Sequence, residues 1–136
     1  MDWYKNEVCN RASRTRFWGI HNDEGILVGY GGIENIQWEN SIGEISLLIN
    51  PKEHRKGYGY KAANDIIKQA FTSIGLHSIY AECYHNNLAM AFWDKVFKGK
   101  FTCTLPWRKY IDGRYESSRY YAWHKHECFY KWEDLA

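Results

Sequence analysis

Proline is scarce, with two residues in a chain of 136. No Pro-, Gly- or Ser-rich stretch, internal repeat or low-complexity run divides the sequence, which excludes an obvious linker between units. A chain of this length supports one core and not two. Long apolar runs are also missing: nothing approaches the ~18 consecutive apolar residues of a membrane span. The N-terminus lacks the apolar centre of a secretory signal. Cysteine is sparse, and Cys9, Cys83, Cys103 and Cys128 are far apart with no CxxC. That spacing excludes a dense disulfide framework and fits reduced thiols. An excess of one charge sign is lacking too, since 18 Lys and Arg stand against 16 Asp and Glu for a formal +2. The basic face of a dedicated nucleic-acid binder is therefore not expected. Together these absences predict a soluble cytoplasmic protein with neither membrane nor nucleic acid as partner.

What is present is an ordinary globular balance, 45% hydrophobic and 25% charged, with aromatics at 18%. So many rings either build a small core economically or line a ligand cleft. Residues 1–15 read as an arm, with a short helix as the other option over Met1 to Ala12. Residues 16–124 form the core of a single domain and 125–136 a tail. Arg16 to His21 alternates apolar with polar and ends at the turn Asn22-Asp23-Glu24-Gly25. Ile26 to Ile36 restarts a strand, and Glu44 to Asn50 is a strongly apolar one. Their short connections predict an antiparallel meander. From Gly57 to Ile74 the period changes: Ala63, Ile66, Ile67, Ala70, Phe71 and Ile74 keep the spacing of a helix with one buried stripe. Gly75 suits its stop. Ser78 to Tyr84 reads as a strand, Asn87 to Phe97 as a second amphipathic helix, and Phe101 to Trp123 as a hairpin turning at Asp112-Gly113. The fold class expected is α+β, a mixed and mostly antiparallel sheet with a central parallel crossover and helices packed on it. In the tail His124, His126 and Cys128 alternate, but three potential ligands without a fourth at close spacing make a poor metal site, and no metal is expected.

The segment Pro51 to Tyr60 stands between an apolar strand and a helix. Gly57 and Gly59 let the backbone turn sharply and approach a ligand. The helix aims its positive end at that point, and Arg55 and Lys56 add full charges, as a pyrophosphate site requires. Gly57, Gly59 and Ala62 also fit GxGxxA, with Glu82 near the place of a ribose-binding acid. In a dinucleotide fold, however, the first glycine follows its strand almost at once. Here six residues separate Asn50 from Gly57, and three antiparallel strands come first.

His54-Arg55-Lys56-Gly57-Tyr58-Gly59 resembles motif A of the GNAT (GCN5-related N-acetyltransferase) superfamily, Gln/Arg-x-x-Gly-x-Gly/Ala, with His54 in the Gln/Arg place. Asn86-Asn87-Leu88-Ala89-Met90-Ala91-Phe92-Trp93-Asp94-Lys95 resembles that family's Asn-x-x-Ala-x-x-Phe-Tyr-x-Lys helix at the expected separation. Gly43 to Pro51 is similar to the strand that pairs with the pantetheine arm. Ile111 to Tyr115 is similar to the last hairpin of the ribosomal-protein and polyamine acetyltransferases. The resemblance covers Arg16 to Trp123. It implies an N-acetyltransferase that uses acetyl-CoA as cosubstrate and acetylates a primary amine, on a small molecule or a protein N-terminus, by direct attack in a ternary complex. A non-catalytic acyl-CoA-binding or assembly module with the same fold is the alternative.

The cofactor residues so implied are Leu47, Leu48, Ile49, Arg55, Lys56, Gly57, Tyr58, Gly59, Tyr60, Asn86, Trp93 and Lys95. Backbone N–H groups of Leu47 to Ile49 would hold the thioester carbonyl and pantetheine. Glu44, on an otherwise apolar strand, is the first candidate for the base that deprotonates the amine, and Glu82 the second. Each has a structural reading, Glu44 as the exposed start of a strand and Glu82 as a salt-bridge partner. Trp93 holds the place of the family's usual tyrosine acid. An indole N–H is no usable proton source, so Trp93 is expected to pack against the cofactor. The strand and two helices that usually begin the family are shortened, which predicts a homodimer or a partner completing the acceptor side. Phe97-Lys98 replaces the usual Gly-Phe.

Overall fold

The computed structural model of the chain describes residues 13–84, 89–98 and 101–125, with Phe101 and Thr102 as backbone. Six strands and two helices follow in the order β1 (Arg16–His21), β2 (Leu27–Gln37), β3 (Ile42–Ile49), α1 (Tyr58–Phe71), β4 (Ser78–Tyr84), α2 (Ala89–Val96), β5 (Phe101–Ile111) and β6 (Arg114–His124). They build one sheet in the order β1-β2-β3-β4-β6-β5. Every neighbouring pair is antiparallel except β3 and β4, which run parallel because α1 carries the chain back across the sheet. The α+β expectation holds.

α1 buries Ala63, Ile66, Ile67, Ala70 and Phe71, the stripe read from the sequence. It ends sooner than its apolar period, at Phe71. The Thr72 hydroxyl donates to the Lys68 carbonyl at 2.6 Å, and Gly75 at φ +79° turns the chain away. α2 adds Trp93 and Val96, and β4 and β6 supply Ile79, Ala81, Tyr121 and Trp123 to the same core. At the far hairpin Asp112 and Gly113 have φ of +50° and +83°, the two left-handed positions of a tight reverse turn. Met1 to Ala12, Asn86 and the pair His126 and Cys128 lie outside the described residues.

Both helices cover one face of the sheet. Registers put Glu34 opposite Glu44, Tyr30 opposite Leu48, Glu44 beside Tyr80 and Glu82 opposite Tyr120. These side chains share the other face, which no helix covers among the described residues. β2 lies very close to its neighbours there: a Cβ on Gly32 would sit 1.9 Å from the Arg16 carbonyl oxygen and 2.7 Å from Phe17 Cα. Both are backbone atoms that cannot swing aside. Gly32→Ala should therefore destabilise the fold by ~1–3 kcal/mol, measured by urea unfolding.

Candidate active site

The site begins where the sheet splits. β3 and β4 pair at three positions only, Ile42 with Ser78, Gly43 with Ile79 and Glu44 with Tyr80. Both strands continue, to Ile49 and Tyr84, and each keeps its outer partner: β2 pairs with β3 up to Ile49, and β6 with β4 up to Tyr84. Beyond Glu44 the sheet is a fork with three strands on each arm. Backbone groups of Ser46 to Ile49 on the β4 side are thus left without a ladder, a suitable edge for an extended amide-bearing chain. His54 Nε2 lies 3.0 Å from the Ile49 carbonyl oxygen and closes the far end of that edge.

The two helices form the wall of the fork on their side of the sheet. The Cβ direction of Gly59 points at the Phe92 ring and Leu47, 3.4 and 3.6 Å away. Phe92, not Trp93, is therefore the ring that meets the first turn of α1. Trp93 is 8% exposed and belongs to the core, edge-on to Phe92 at 5.0 Å and tilted against Phe97 at 5.9 Å. Trp93, expected to pack against the cofactor, thus has most of its ring in the core. Two other expected cofactor residues do meet: Lys95 Nζ stands 4.4 Å from the Tyr60 ring centre. Leu47 packs on the core, while Leu48 points to the uncovered face and is exposed.

At the open end lies the loop from Asn50 to Gly57. Asn50 accepts from Lys52 N at 3.0 Å and starts a single 3-10 turn, Pro51–Glu53. Arg55 at φ +66° and Gly57 at φ +83° then reverse the chain into α1. Gly57 caps the helix with no side-chain hydrogen bond, and no acid lies in the first turn. The N–H groups of Tyr58, Gly59 and Tyr60 and the helix dipole are thus uncompensated, as an anion site needs. Lys56 is partly spoken for, since its Nζ meets Glu53 Oε2 at 2.8 Å. A cavity of about 660 Å³ adjoins the loop from the β1 side, lined by Trp18, Ile20, Lys56, Gly57, Tyr58 and Lys61 among others. Glu44 and the β3–β4 fork are not part of its lining.

The two candidate carboxylates differ sharply. Glu44 sits at the apex of the fork, half-buried, with Asn35 Nδ2 donating to its Oε2 at 2.9 Å. Burial pushes its carboxyl up from the ordinary 4.5. Hydrogen bonds from Asn35 and Tyr80 oppose this, the charges of Glu34 and Glu82 add to it, and the net shift is upward. Tyr80 is raised to about 12, first by burial and then by Glu44, and so remains a phenol at neutral pH. Its ring stacks on Tyr120 at 5.3 Å. Glu82, one register further, accepts from Ser118 Oγ at 2.6 Å and from Arg108 Nε at 3.1 Å. Burial pushes Glu82 up, but these hydrogen bonds and the Arg108 charge outweigh it, and its carboxyl falls below 4.5.

Asn35, Tyr80, Arg108 and Ser118 were not singled out from the sequence. Only Asn35 left a signal there: Ile33 and Ile36 are both apolar three apart, which breaks strand alternation.

The model of the acetyltransferase (GNAT) domain matches residues 1–92. The chain belongs to the GNAT acetyltransferase family. A Bacillus subtilis (strain 168) protein described as the uncharacterized N-acetyltransferase YnaD is 33% identical over 69 residues, which are 51% of this chain and 40% of that one. The chain thus spans about two fifths of the length of that curated relative. Among solved structures, spermidine/spermine N-acetyltransferase SpeG from Vibrio cholerae, in complex with manganese ions, superposes with a TM-score of 0.78 at 19% identity. It covers 89% of this chain and 71% of its own. A dodecameric form of the Vibrio cholerae enzyme gives 0.79 at 19%, over 93% and 73%. At such identities the likeness establishes the GNAT fold alone. Among the described residues no helix is long and apolar enough to cross a membrane.

The opposite shifts of the two acids have opposite linkage. A lowered carboxyl stabilises the fold above its unfolded value near 4.5 and loses that contribution as pH falls through its folded value. Glu82→Gln should therefore lower Tm at neutral pH, and the difference from the parent should close in acid; a pH series of thermal melts reads both.

Proposed function

We propose that the chain is an acetyl-CoA-dependent N-acetyltransferase that moves the acetyl group directly to a primary amine in a ternary complex. The observation that carries this reading is the fork itself, with an uncapped helix N-terminus at its open end and a half-buried carboxylate at its apex. In this reading the pyrophosphate of acetyl-CoA rests on the N–H groups of Tyr58 to Tyr60, with Arg55 and Lys56 beside them. The pantetheine arm runs along the free edge of Leu47 to Ile49 toward Glu44, and N–H groups of that edge polarise the thioester carbonyl. Asn86 and Lys95 complete the cofactor side.

The acceptor enters from the uncovered face. Glu34, Glu44 and Glu82 lie together there, with the stacked Tyr80 and Tyr120, which favours a cationic small-molecule amine. Glu44 takes the proton from the ammonium. The freed lone pair attacks the carbonyl carbon, the carbon–sulfur bond breaks, and the second proton shed by the acylated nitrogen passes through water to the leaving thiolate. A carboxyl raised from its ordinary value is a stronger base for that transfer than Glu82, whose lone pairs are held by Ser118 and Arg108. Glu82 is then a positioning charge rather than a second base. The placement of Trp93 in the core, with no phenol in its stead, favours the second reading, a non-catalytic acyl-CoA-binding module.

Calorimetric titration with acetyl-CoA and with NADH, joined to thiol release over an amine panel, tests the proposal. Acetyl-CoA should bind and NADH should not; binding without thiol release would favour the second reading. Gly59→Ala should keep or raise Tm, because its Cβ meets only ordinary contacts in a helix. It should weaken acetyl-CoA binding by narrowing the gap between Leu47 and Phe92. Glu44→Gln should lower kcat by ~10²–10⁴-fold, leave acetyl-CoA affinity unchanged and remove the acid limb of the pH profile. That limb lies above the ordinary carboxylate value, since the native carboxyl is raised. For the same reason ionised Glu44 costs stability at neutral pH, so the variant should melt no lower than the parent.

A further inference from the structure

Next to the apex of the fork, β2 carries one residue too many. Between the pairs Glu34–Glu44 and Gln37–Ile42, two residues of β2, Asn35 and Ile36, stand against one of β3, Gly43. The extra residue resets the alternation. Ile33 and Ile36 are both wholly buried on the helix side, which a regular strand cannot do for residues three apart. The same reset turns Asn35 out to the face that bears Glu44. There it takes φ +51°, in the left-handed region that asparagine tolerates better than most side chains. Its carboxamide donates to Glu44 Oε2 at 2.9 Å. From this bulge we infer that Asn35 is a positioning residue for the amine-deprotonating carboxylate, fixing the rotamer of Glu44 and the oxygen left free to take the proton.

The inference rests on the proposed function, in which Glu44 is the base. It also explains why the bulge holds an asparagine and not the glycine that the backbone alone would favour. Glu44 stands among groups that resist its ionisation. Glu34 lies directly opposite on β2 and Glu82 two residues beyond Tyr80 on β4, while Tyr80 itself donates a hydrogen bond that favours the ionised form and Tyr120 stands beside it on β6. Like charges directly opposite across two strands are unfavourable, and among the described residues no cation pairs with Glu34 or Glu44. The Asn35 amide is a neutral donor: it orders the carboxylate without the full charge that would suppress its basicity, as Arg108 does for Glu82.

Asn35→Gly separates this role from a structural one. Glycine accepts the left-handed backbone, so Tm should hold or rise. With the donor gone, the Glu44 carboxyl should titrate at higher pH, seen by carboxyl-carbon NMR, which needs no turnover. The acid limb of kcat/KM should move up with it. kcat should fall at least tenfold while KM and acetyl-CoA affinity stay put. Asn35→Asp, which keeps the shape and replaces the donor with a charge, should move the titration further in the same direction. In a Glu44→Gln background Asn35→Gly should have no further effect on kcat. A Tm loss with an unmoved titration, or a kcat fall that persists in that background, overturns the inference. An Asn35→Gly enzyme with wild-type kcat overturns it too. If Glu44→Gln alone leaves kcat intact, the base assignment fails first and this inference falls with it; the NMR titration then tells whether the hydrogen bond exists independently.

Discussion

The organisation of this molecule depends on a ladder that stops. β3 and β4 share three rungs and then separate, although neither strand has ended. Leaving backbone groups unpaired in a sheet is costly unless water or a ligand meets them. Such a break persists only where both arms hold themselves. Each does: β1-β2-β3 and β4-β6-β5 are antiparallel throughout, though bulged, and α1 and α2 bind the arms together from one face through a shared core. The apex of the fork is thus held by paired strands on both sides, while the edges beyond it are left without a strand partner.

What collects at the apex follows from strand alternation. Every second residue of β2, β3, β4 and β6 faces away from the helices, and at this level those residues are Glu34, Glu44, Tyr80, Glu82 and Tyr120. Acids this close cannot all ionise freely, and the fold resolves the conflict unevenly. A bulge in β5, where the register shifts between Leu105 and Lys109, carries Arg108 over β6 to Glu82. A bulge in β2 carries only a carboxamide to Glu44. Two glutamates in comparable sheet positions therefore have carboxyls displaced in opposite directions. Burial leads the upward shift of Glu44, whereas the hydroxyl and guanidinium donors of Glu82 outweigh its shallower burial.

Much of this was legible in the sequence, for definite reasons. The stripe of α1 follows from the period of its apolar residues, and the last hairpin from Asp112-Gly113, because both are local. The glycine-rich helix entry was legible for the same reason, since its turn and its missing cap are written within seven residues. The fork was not: it is a property of two strand edges thirty-six residues apart, and neither strand betrays it alone. The Arg108 contact with Glu82 was hidden because a bulge sets it, not a spacing. The burial of Trp93 was not legible either, because a place in a motif says which helix position a ring holds, whereas its packing on Phe92 and Phe97 decides how much of it the core takes.

Ile36 gives the clearest case of a local violation that carries information. A strand that buries Ile33 should expose Ile36, and the sequence contradicts that within four residues. The fold resolves this with an inserted residue rather than by exposing Ile36, and an inserted residue must point somewhere. In this fold it points along the edge where β3 is about to lose its partner, which brings Asn35 to Glu44. Core packing and site geometry are thus set by one backbone irregularity: moving it by a residue would expose Ile36 and withdraw the amide from the carboxylate together. That coupling ties the fixed position of Glu44 to the same burial that stabilises the sheet.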